Sequence, residues 1–295
     1  MSSHPLVTVI CLCYNHAKFV RQAIESVLDQ DYPAIELIVV DDASTDNSVD
    51  IIEEMIEKKT AFTFLKNQTN QGNCASFNRA FTHSKGEFII DLAADDVLLP
   101  DRISCGVVDL ESKGDQYGVQ YGAVELIDES SKFIGHFYDS NPNKPISGDL
   151  YEQLIEKFFV SGPSMFMRRV VLEDMEGYDE QLDFEDFDLC IRSSRNFLYS
   201  FTEKTVVKKR IHSQNYSKKQ KQFRNKLGRT TLQVCEKIFG LNESLAEHRA
   251  LQRRIKYEMK KSIQFGNIGL CSSYYRLLKS VNRKVKAFAQ APTKP

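Results

Sequence analysis

No run of apolar residues in this 295-residue chain reaches the ~18 needed to cross a bilayer, so no membrane-spanning segment is expected. The apolar stretch near the amino terminus, LVTVICLC, has no Lys or Arg before it and no small-residue cleavage site after it, which argues against a secretory leader. Glycine-rich phosphate loops are missing: neither GxxxxGK[ST] nor GxGxxG follows the first apolar run, and no GxSxG elbow occurs. Those absences exclude the P-loop, dinucleotide-binding and α/β-hydrolase readings. A large excess of either charge is also lacking. With 39 bases against 40 acids the net charge is −1, and nothing global points to nucleic acid. The seven cysteines, at 11, 13, 74, 105, 190, 235 and 271, are odd in number and lack metal-site spacing. Cys11 and Cys13 lie two apart on an apparent strand and so share a face, as small buried thiols do. A reducing, cytoplasmic compartment is expected. There are no internal repeats and no low-complexity segments apart from a frayed end at 289–295.

The chain contains an alternation of apolar periods. Leu6–Leu12 is a continuous β-rich run, as in a strand buried on both faces of a parallel sheet. Ala17–Leu28 keeps helical spacing up to the break at Tyr32-Pro33. Ile35–Val40 predicts a second buried strand, ASTDNSVDIIEEMIEKK a helix opened by small capping residues, and Phe62–Leu65 a short third strand. A helix is expected from about Cys74 to Ser84, and a fourth strand over Phe88–Leu92. Val97, Leu98 and Leu99 then return the chain to the core, and Pro100 suits the first turn of the next helix. This β-α-β-α-β-α-β order predicts a doubly wound sheet with right-handed crossovers, whose ligand crevice lies beyond the carboxyl ends of the strands. After about Asp101 the rhythm changes. Strands are expected at Tyr117–Ile127, Lys132–Tyr138, Ser164–Arg168, Phe197–Phe201 and Val206–Ile211, with helices at Leu150–Phe159, Val170–Met175 and EDFDLCIRSSRN. From Lys218 onward only amphipathic helices are expected.

Three acidic sites stand out. Asp41 and Asp42 end the second strand and suit a nucleobase imide or a ribose hydroxyl. Asp95 and Asp96 end the fourth, where adjacent like charges call for a hard cation such as Mg²⁺ or Mn²⁺ that would in turn bind a diphosphate. Glu185 and Asp186 open a helix, where the dipole favours a charged carboxylate able to act as a base. Alone, each pair reads as a capped turn or a plain helix start. Two pairs on one sheet edge are hard to explain as independent caps. His212 follows a strand and is as readily a surface residue as a ligand, and Lys208, Lys209 and Arg210 could neutralise phosphate, although a solvated basic strand edge is their default reading. The charge is uneven along the chain: from Leu251 onward eleven bases face one acid, Glu258, a surplus of +10, while the preceding 250 residues carry −11. A basic tail on an acidic body suits anionic lipid headgroups, or equally a solvated helical face.

The segments VTVICLCYNHAKFVRQAIESVLDQDY, IELIVVDDASTD, NQGNCASFNRAF, GEFIIDLAADDVLLPDRI, MFMRRVVLEDMEGYDE, EDFDLCIR and RIHSQNYS resemble, in order, those of family 2 glycosyltransferases, over roughly residues 5 to 217. The resemblance implies an α/β GT-A (Rossmann-like) fold, a mixed, mainly parallel sheet flanked by helices. It divides the chain into a transferase domain over 1–217, with a nucleotide-binding half at 1–100 and an acceptor-binding half at 101–217. A basic helical extension at 218–295 follows. It also implies inverting transfer of a sugar from a nucleotide diphosphate donor, expected to be a UDP-sugar, to a hydroxyl acceptor, a glycan or lipid-linked glycan of bacterial surface polysaccharide. A divalent metal, Mn²⁺ or Mg²⁺, is the implied cofactor.

Carried over by position, Tyr14 and Asn15 line the nucleotide pocket, and Asp41 and Asp42 hold the base and ribose. Asp95 and Asp96 form the metal motif, Asp95 also facing the donor, and His212 approaches the diphosphate or metal. Asp186, beside Glu185, matches the family's general base and would take that role. One departure is visible: many members read DxDD, whereas this chain has Ala93-Ala94-Asp95-Asp96. The missing first carboxylate thins the ligand set and keeps open a nucleotide-sugar-binding protein without turnover. A nucleotidyltransferase is the remaining alternative, although Cys13-Tyr14-Asn15-His16 lacks the Gly- and basic-rich loop it would need. No nucleic acid is expected as a partner; the expected location is cytoplasmic, with peripheral contact at the inner face of the membrane left open by the basic tail.

Overall fold

The computed structural model describes residues 4–58, 61–139, 145–182, 184–212 and 224–290. Part of the NPNKPISGD loop, the residues after His212 in RIHSQNYS, the start of the expected helical segment at 218–223 and the last five positions lie outside them. The chain divides into two compact units, each drawn from several stretches: 1–148, 160–180 and 196–212 form one, and 149–159, 181–195 and 213–295 the other.

The first unit is built on strands that the sequence marks by their apolar content. β1 (Val7–Cys13) is fully buried and lies between β2 (Ile35–Asp41) and β4 (Phe88–Ala93), parallel to both. β3 (Thr63–Lys66) adds in parallel outside β2. Period-2 alternation sends Val7, Val9, Cys11 and Cys13 to one face, where they pack on Val20, Ala23, Ile24 and Val27 of α1 (Val20–Leu28). α2 (Ser48–Glu57) and α3 (Asn73–His83) complete the crossovers.

Beyond β4 the sheet becomes mixed. Its order is β3-β2-β1-β4-β8-β6-β9-β5, with β7 paired to β6. Here β5 is Val97–Leu98, β6 is Tyr117–Ile127, β7 is Phe133–His136, β8 is Phe166–Arg168 and β9 is Leu198–Arg210. Two expectations change. Phe197–Phe201 and Val206–Ile211 are one strand, β9, which follows β6 over its whole length through register shifts near Gly122 and Ala123. Val97-Leu98, expected only to re-enter the core, pairs antiparallel with Val207 and Lys208. α4 (Arg102–Lys113) and α6 (Arg169–Asp174) lie in this unit.

Gly86, at the entrance to β4, sits where a side chain would not fit. A Cβ there would meet Thr8 N at 2.4 Å and Thr8 Oγ1 at 2.5 Å, and its own N–H donates to Thr8 Oγ1 at 2.9 Å.

The second unit is helical: α5 (Tyr151–Glu156), α7 (Glu185–Ser193), α8 (Arg224–Leu241), α9 (Leu245–Gln264) and α10 (Ile268–Gln290). Leu154, Ile155, Phe187, Ile191, Val234, Leu251, Ile255 and Tyr274 are buried within it. Ser244 and Glu247 start α9 with reciprocal capping bonds. Polar bonds tie early helices to late ones. The Tyr151 hydroxyl donates to Asn242 Oδ1 at 2.9 Å, Arg195 reaches Glu247 at 2.8 Å, and buried Asp188 accepts from Arg192 and Lys237, both at 2.7 Å.

Candidate active site

Because β2 and β4 run parallel on either side of β1, their carboxyl ends share one edge, and the two acid pairs come to it together. Cys13 is level with Asp41, and Leu12 with Ala93. Past β4 the chain turns sharply, Asp96 N–H donating to Ala93 C=O at 3.0 Å.

The turn is held by Arg210 at the end of β9. Its backbone N–H donates to Asp96 Oδ1 at 2.8 Å and its Nε to the Asp95 carbonyl at 2.9 Å. The rest of the guanidinium donates to Asp128 C=O, Ser131 Oγ and Gln22 Oε1, and lies 4.7 Å over the Phe19 ring. Expected as part of a solvated basic edge, Arg210 is instead 1% exposed. It supplies a permanent positive charge beneath the paired acids.

The two acids are driven apart electrostatically. Burial, then the neighbouring Asp95 charge, pushes the Asp96 carboxyl up to about 8. Burial also works against the charged form of Asp95, but the bond from His212 and the charges of His16 and His212 outweigh it and hold that carboxyl below its ordinary value. Asp95 is thus the anion of the pair. His212 Nε2 stands 2.9 Å from Asp95 Oδ2, and His212 is buried against Phe19, with ring centroids 5.1 Å apart. The His16 ring lies edge-on to His212 at 6.0 Å. One donor atom from each of His16, Asp95 and His212 lies within 4.8 Å of the others.

That cluster has the composition of a metal centre. Two imidazoles and one carboxylate suit a divalent transition-metal ion better than Mg²⁺, which prefers oxygen donors and retains its waters. Asp96 faces Arg210 and is not among these three donors. His16 carried no role in the sequence reading. The available signal was its place directly after Tyr14-Asn15, at the end of the central strand that β4 flanks.

On the β2 side, Asp41 is wholly buried. Its Oδ1 accepts from Ser44 N–H at 2.9 Å, and its Oδ2 has no partner among the described residues. Asp42 is engaged internally, accepting from Asn67 Nδ2 at 2.7 Å and from the N–H groups of Gln71 and Gly72, both at 2.8 Å. It thereby shapes the loop into α3. Tyr14 is 44% exposed at the same edge. Asn15, in the left-handed region at φ 59°, accepts from Thr45 N–H at 2.7 Å through its side chain.

The residues after Asp42 bond across the edge, and only Asp46 Oδ1, accepting from Ser48 N–H at 3.0 Å, also meets the start of α2. Ser44 Oγ accepts from Asn15 N–H at 2.9 Å, Ser48 Oγ from His16 N–H at 3.0 Å and Asp46 Oδ2 from Ala17 N–H at 3.0 Å, while α2 has no side-chain cap at Asn47. These bonds fix the backbone that carries Tyr14, Asn15 and His16.

The structure therefore gathers Tyr14, Asn15, Asp41, Asp42, Asp95, Asp96 and His212 in the sheet unit, with His16 among them. Glu185 and Asp186 belong to the helical unit, half-buried on the first turn of α7, with Asp188 as the third acid of that turn.

Comparison with known proteins places this geometry. The family described as glycosyl transferase family 2 matches residues 8–175. An uncharacterized glycosyltransferase of Methanocaldococcus jannaschii is 30% identical over 227 residues, spanning 74% of this chain and 77% of that one. One from Rickettsia bellii is 29% identical over 222 residues, but there the match takes in only 31% of the relative. Among solved structures, S. aureus TarS 1-349 in complex with UDP-GlcNAc superimposes with a TM-score of 0.70 at 16% identity, covering 96% of this chain and 83% of that one. The mannosyltransferase PcManGT from Pyrobaculum calidifontis, in complex with GDP-Man and Mn²⁺, does so with a TM-score of 0.61 at 19% identity, covering 98% and 85%. At such identities these two likenesses bear on the fold, which is the GT-A fold of glycosyltransferases. With more than half of its length matched by the family and an archaeal glycosyltransferase aligned across most of both chains, this protein belongs to glycosyl transferase family 2.

Proposed function

We propose that the protein transfers a sugar, with inversion, from a UDP-sugar to a hydroxyl of a glycan or lipid-linked glycan in bacterial surface polysaccharide synthesis. The observation that carries this reading is the pairing, at one sheet edge, of a buried carboxylate oxygen without a donor and a His₂Asp cluster. An unpaired buried acceptor costs ~1–3 kcal/mol, which a ligand N–H can offset. Uracil and guanine present a ring N–H to Asp41 Oδ2, whereas cytosine and adenine do not. The donor seen in TarS is UDP-GlcNAc and that in PcManGT is GDP-Man, both with such a base.

His16, Asp95 and His212 would hold the divalent ion, Mn²⁺ in preference to Mg²⁺, with Asp96 behind them on Arg210. When bound, the ion supplies positive charge toward a diphosphate leaving group. Asp186, with Glu185 beside it, takes the proton of the acceptor hydroxyl as that oxygen bonds to the anomeric carbon. The bond to the diphosphate breaks with its electron pair leaving on the phosphate. Tyr14 and Asn15 flank the nucleotide.

A thermal-shift series tests the reading, because a ligand that binds only the folded state raises the midpoint by mass action. UDP is expected to raise the midpoint with Mn²⁺ present, and CDP and ADP are not. His16→Ala and His212→Ala should abolish the Mn²⁺ enhancement, and Asp186→Asn should keep the UDP shift while losing transfer. Equal shifts for UDP, CDP and ADP, or full turnover in Asp186→Asn, would refute it.

A further inference from the structure

All of the +10 surplus but Lys294 falls on the hairpin of α9 and α10, and the structure separates the cations that serve the fold from those that do not. Arg253 reaches Glu156 at 2.8 Å, and Arg254 is buried against Glu258 at 3.0 Å, so the one acid of this segment is already engaged. Lys256, Lys260, Arg276 and Lys279 are exposed. At the turn between the helices three apolar side chains face outward: Ile263 at 65%, Phe265 at 45% and Ile268 at 80% exposure. Gly266, at φ +70°, makes the turn that brings them together.

Helical spacing puts charge and apolar surface on common faces. Lys256 and Ile263 are seven apart on α9. On α10, Ile268 is followed on the same face by Tyr275 and Lys279 at seven and eleven residues. Tyr257 and Tyr275, both exposed, lie under Lys261 and Lys279 at 5.3 and 4.7 Å, an arrangement that keeps an aromatic ring and an ammonium at one level. An open cleft of about 350 Å³ runs beside the tip, lined by Met259, Ile263 and Leu278 with Lys256 and Lys260 at its margin. Among the described residues no helix is long and apolar enough to cross a membrane.

We propose that this hairpin seats on an anionic bilayer surface. Ile263, Phe265 and Ile268 enter the headgroup region, and Lys256, Lys260 and Lys279 meet the acidic headgroups. An apolar tip with lysines set back along both helices is the makeup of an interfacial hairpin, in which apolar burial and headgroup attraction act together. A second copy of the chain is a poorer occupant, because it would set one cationic hairpin against another.

Flotation of the full-length protein tests this without donor, acceptor or turnover, so its outcome is separate from that of the transferase reading. Recovery is expected with vesicles of phosphatidylcholine containing about one third phosphatidylglycerol and not with phosphatidylcholine alone. It should fall when salt is raised to about 1 M, where the screening length is ~3 Å. Ile263→Ser/Phe265→Ser/Ile268→Ser should weaken binding about tenfold or more with an unchanged melting curve. Lys256→Gln/Lys260→Gln should weaken it by roughly fivefold per charge removed. Equal recovery on neutral and acidic vesicles, no recovery on either, or full recovery of the apolar triple variant would overturn the proposal. So would a concentration-dependent dimer in sedimentation that the triple variant abolishes.

Discussion

Asp95 and Asp96 are adjacent in sequence and opposite in electrostatic character. Because burial and the Asp95 charge raise the Asp96 carboxyl to about 8, the folded protein keeps a proton there that the unfolded chain gives up near the ordinary carboxylate value. The folded state therefore binds more protons between about pH 4 and 8, and stability contributed by this group falls as pH rises through that window, by at most ~1.4 kcal/mol per pH unit. Asp96→Asn should flatten the decline. Urea midpoints of the metal-free protein at several pH values across the window, measured for both forms, would show it. At this scale the acids were legible in the sequence, since paired carboxylates closing buried strands announce themselves. His16 and Arg210 were not. Their significance comes from neighbours far away in the chain, Asp95 and Gln22 among them, and a sequence shows a basic residue after a strand without showing whether it points to water or into a turn.

The strands were legible where the apolar run is nearly continuous, as in β1, β2 and β4. β5 and β9 were less so. A two-residue strand exists only because Val207 and Lys208 come alongside it, and β9 keeps its continuity through an interrupted apolar pattern because β6 supplies a partner along its whole length. Close approach of strands is equally invisible in sequence. Gly86 looks like an ordinary residue before a strand, yet β1 passes so near that a methyl group would collide with backbone at 2.4 Å. Gly86→Ala should cost about 2–4 kcal/mol, since the collision is with main chain that cannot rotate away. Denaturant unfolding checks this. A loss below 0.5 kcal/mol, within the ordinary range of surface substitutions, would show that the β1–β4 pair can part freely.

The linear order of helices does not reveal which of them pack together. α5 and α7 lie among strands in the sequence but pack in one compact unit with α8, α9 and α10. A chain ending at His212 would leave Leu154, Ile155, Phe187 and Ile191 without the helices that cover them, and Asp188 without Lys237. We expect that shortened chain to be insoluble or to lose its cooperative melting transition. Expression yield and a calorimetric trace would check it, and a truncated chain melting as sharply as the full one would contradict it.

This interleaving also bears on how the protein is made. Translation delivers α7 roughly fifty residues before α9, a lag of several seconds at ~5–20 residues per second. During that interval the aromatic face of α7, with Phe187 at its centre, has Phe158 and α5 to rest against but not the later helices. Most chains can complete their early parts while later parts are still on the ribosome. Here the acids Glu185 and Asp186 reach their final setting only after α8, α9 and α10 have emerged, so any reaction that depends on them waits for those helices.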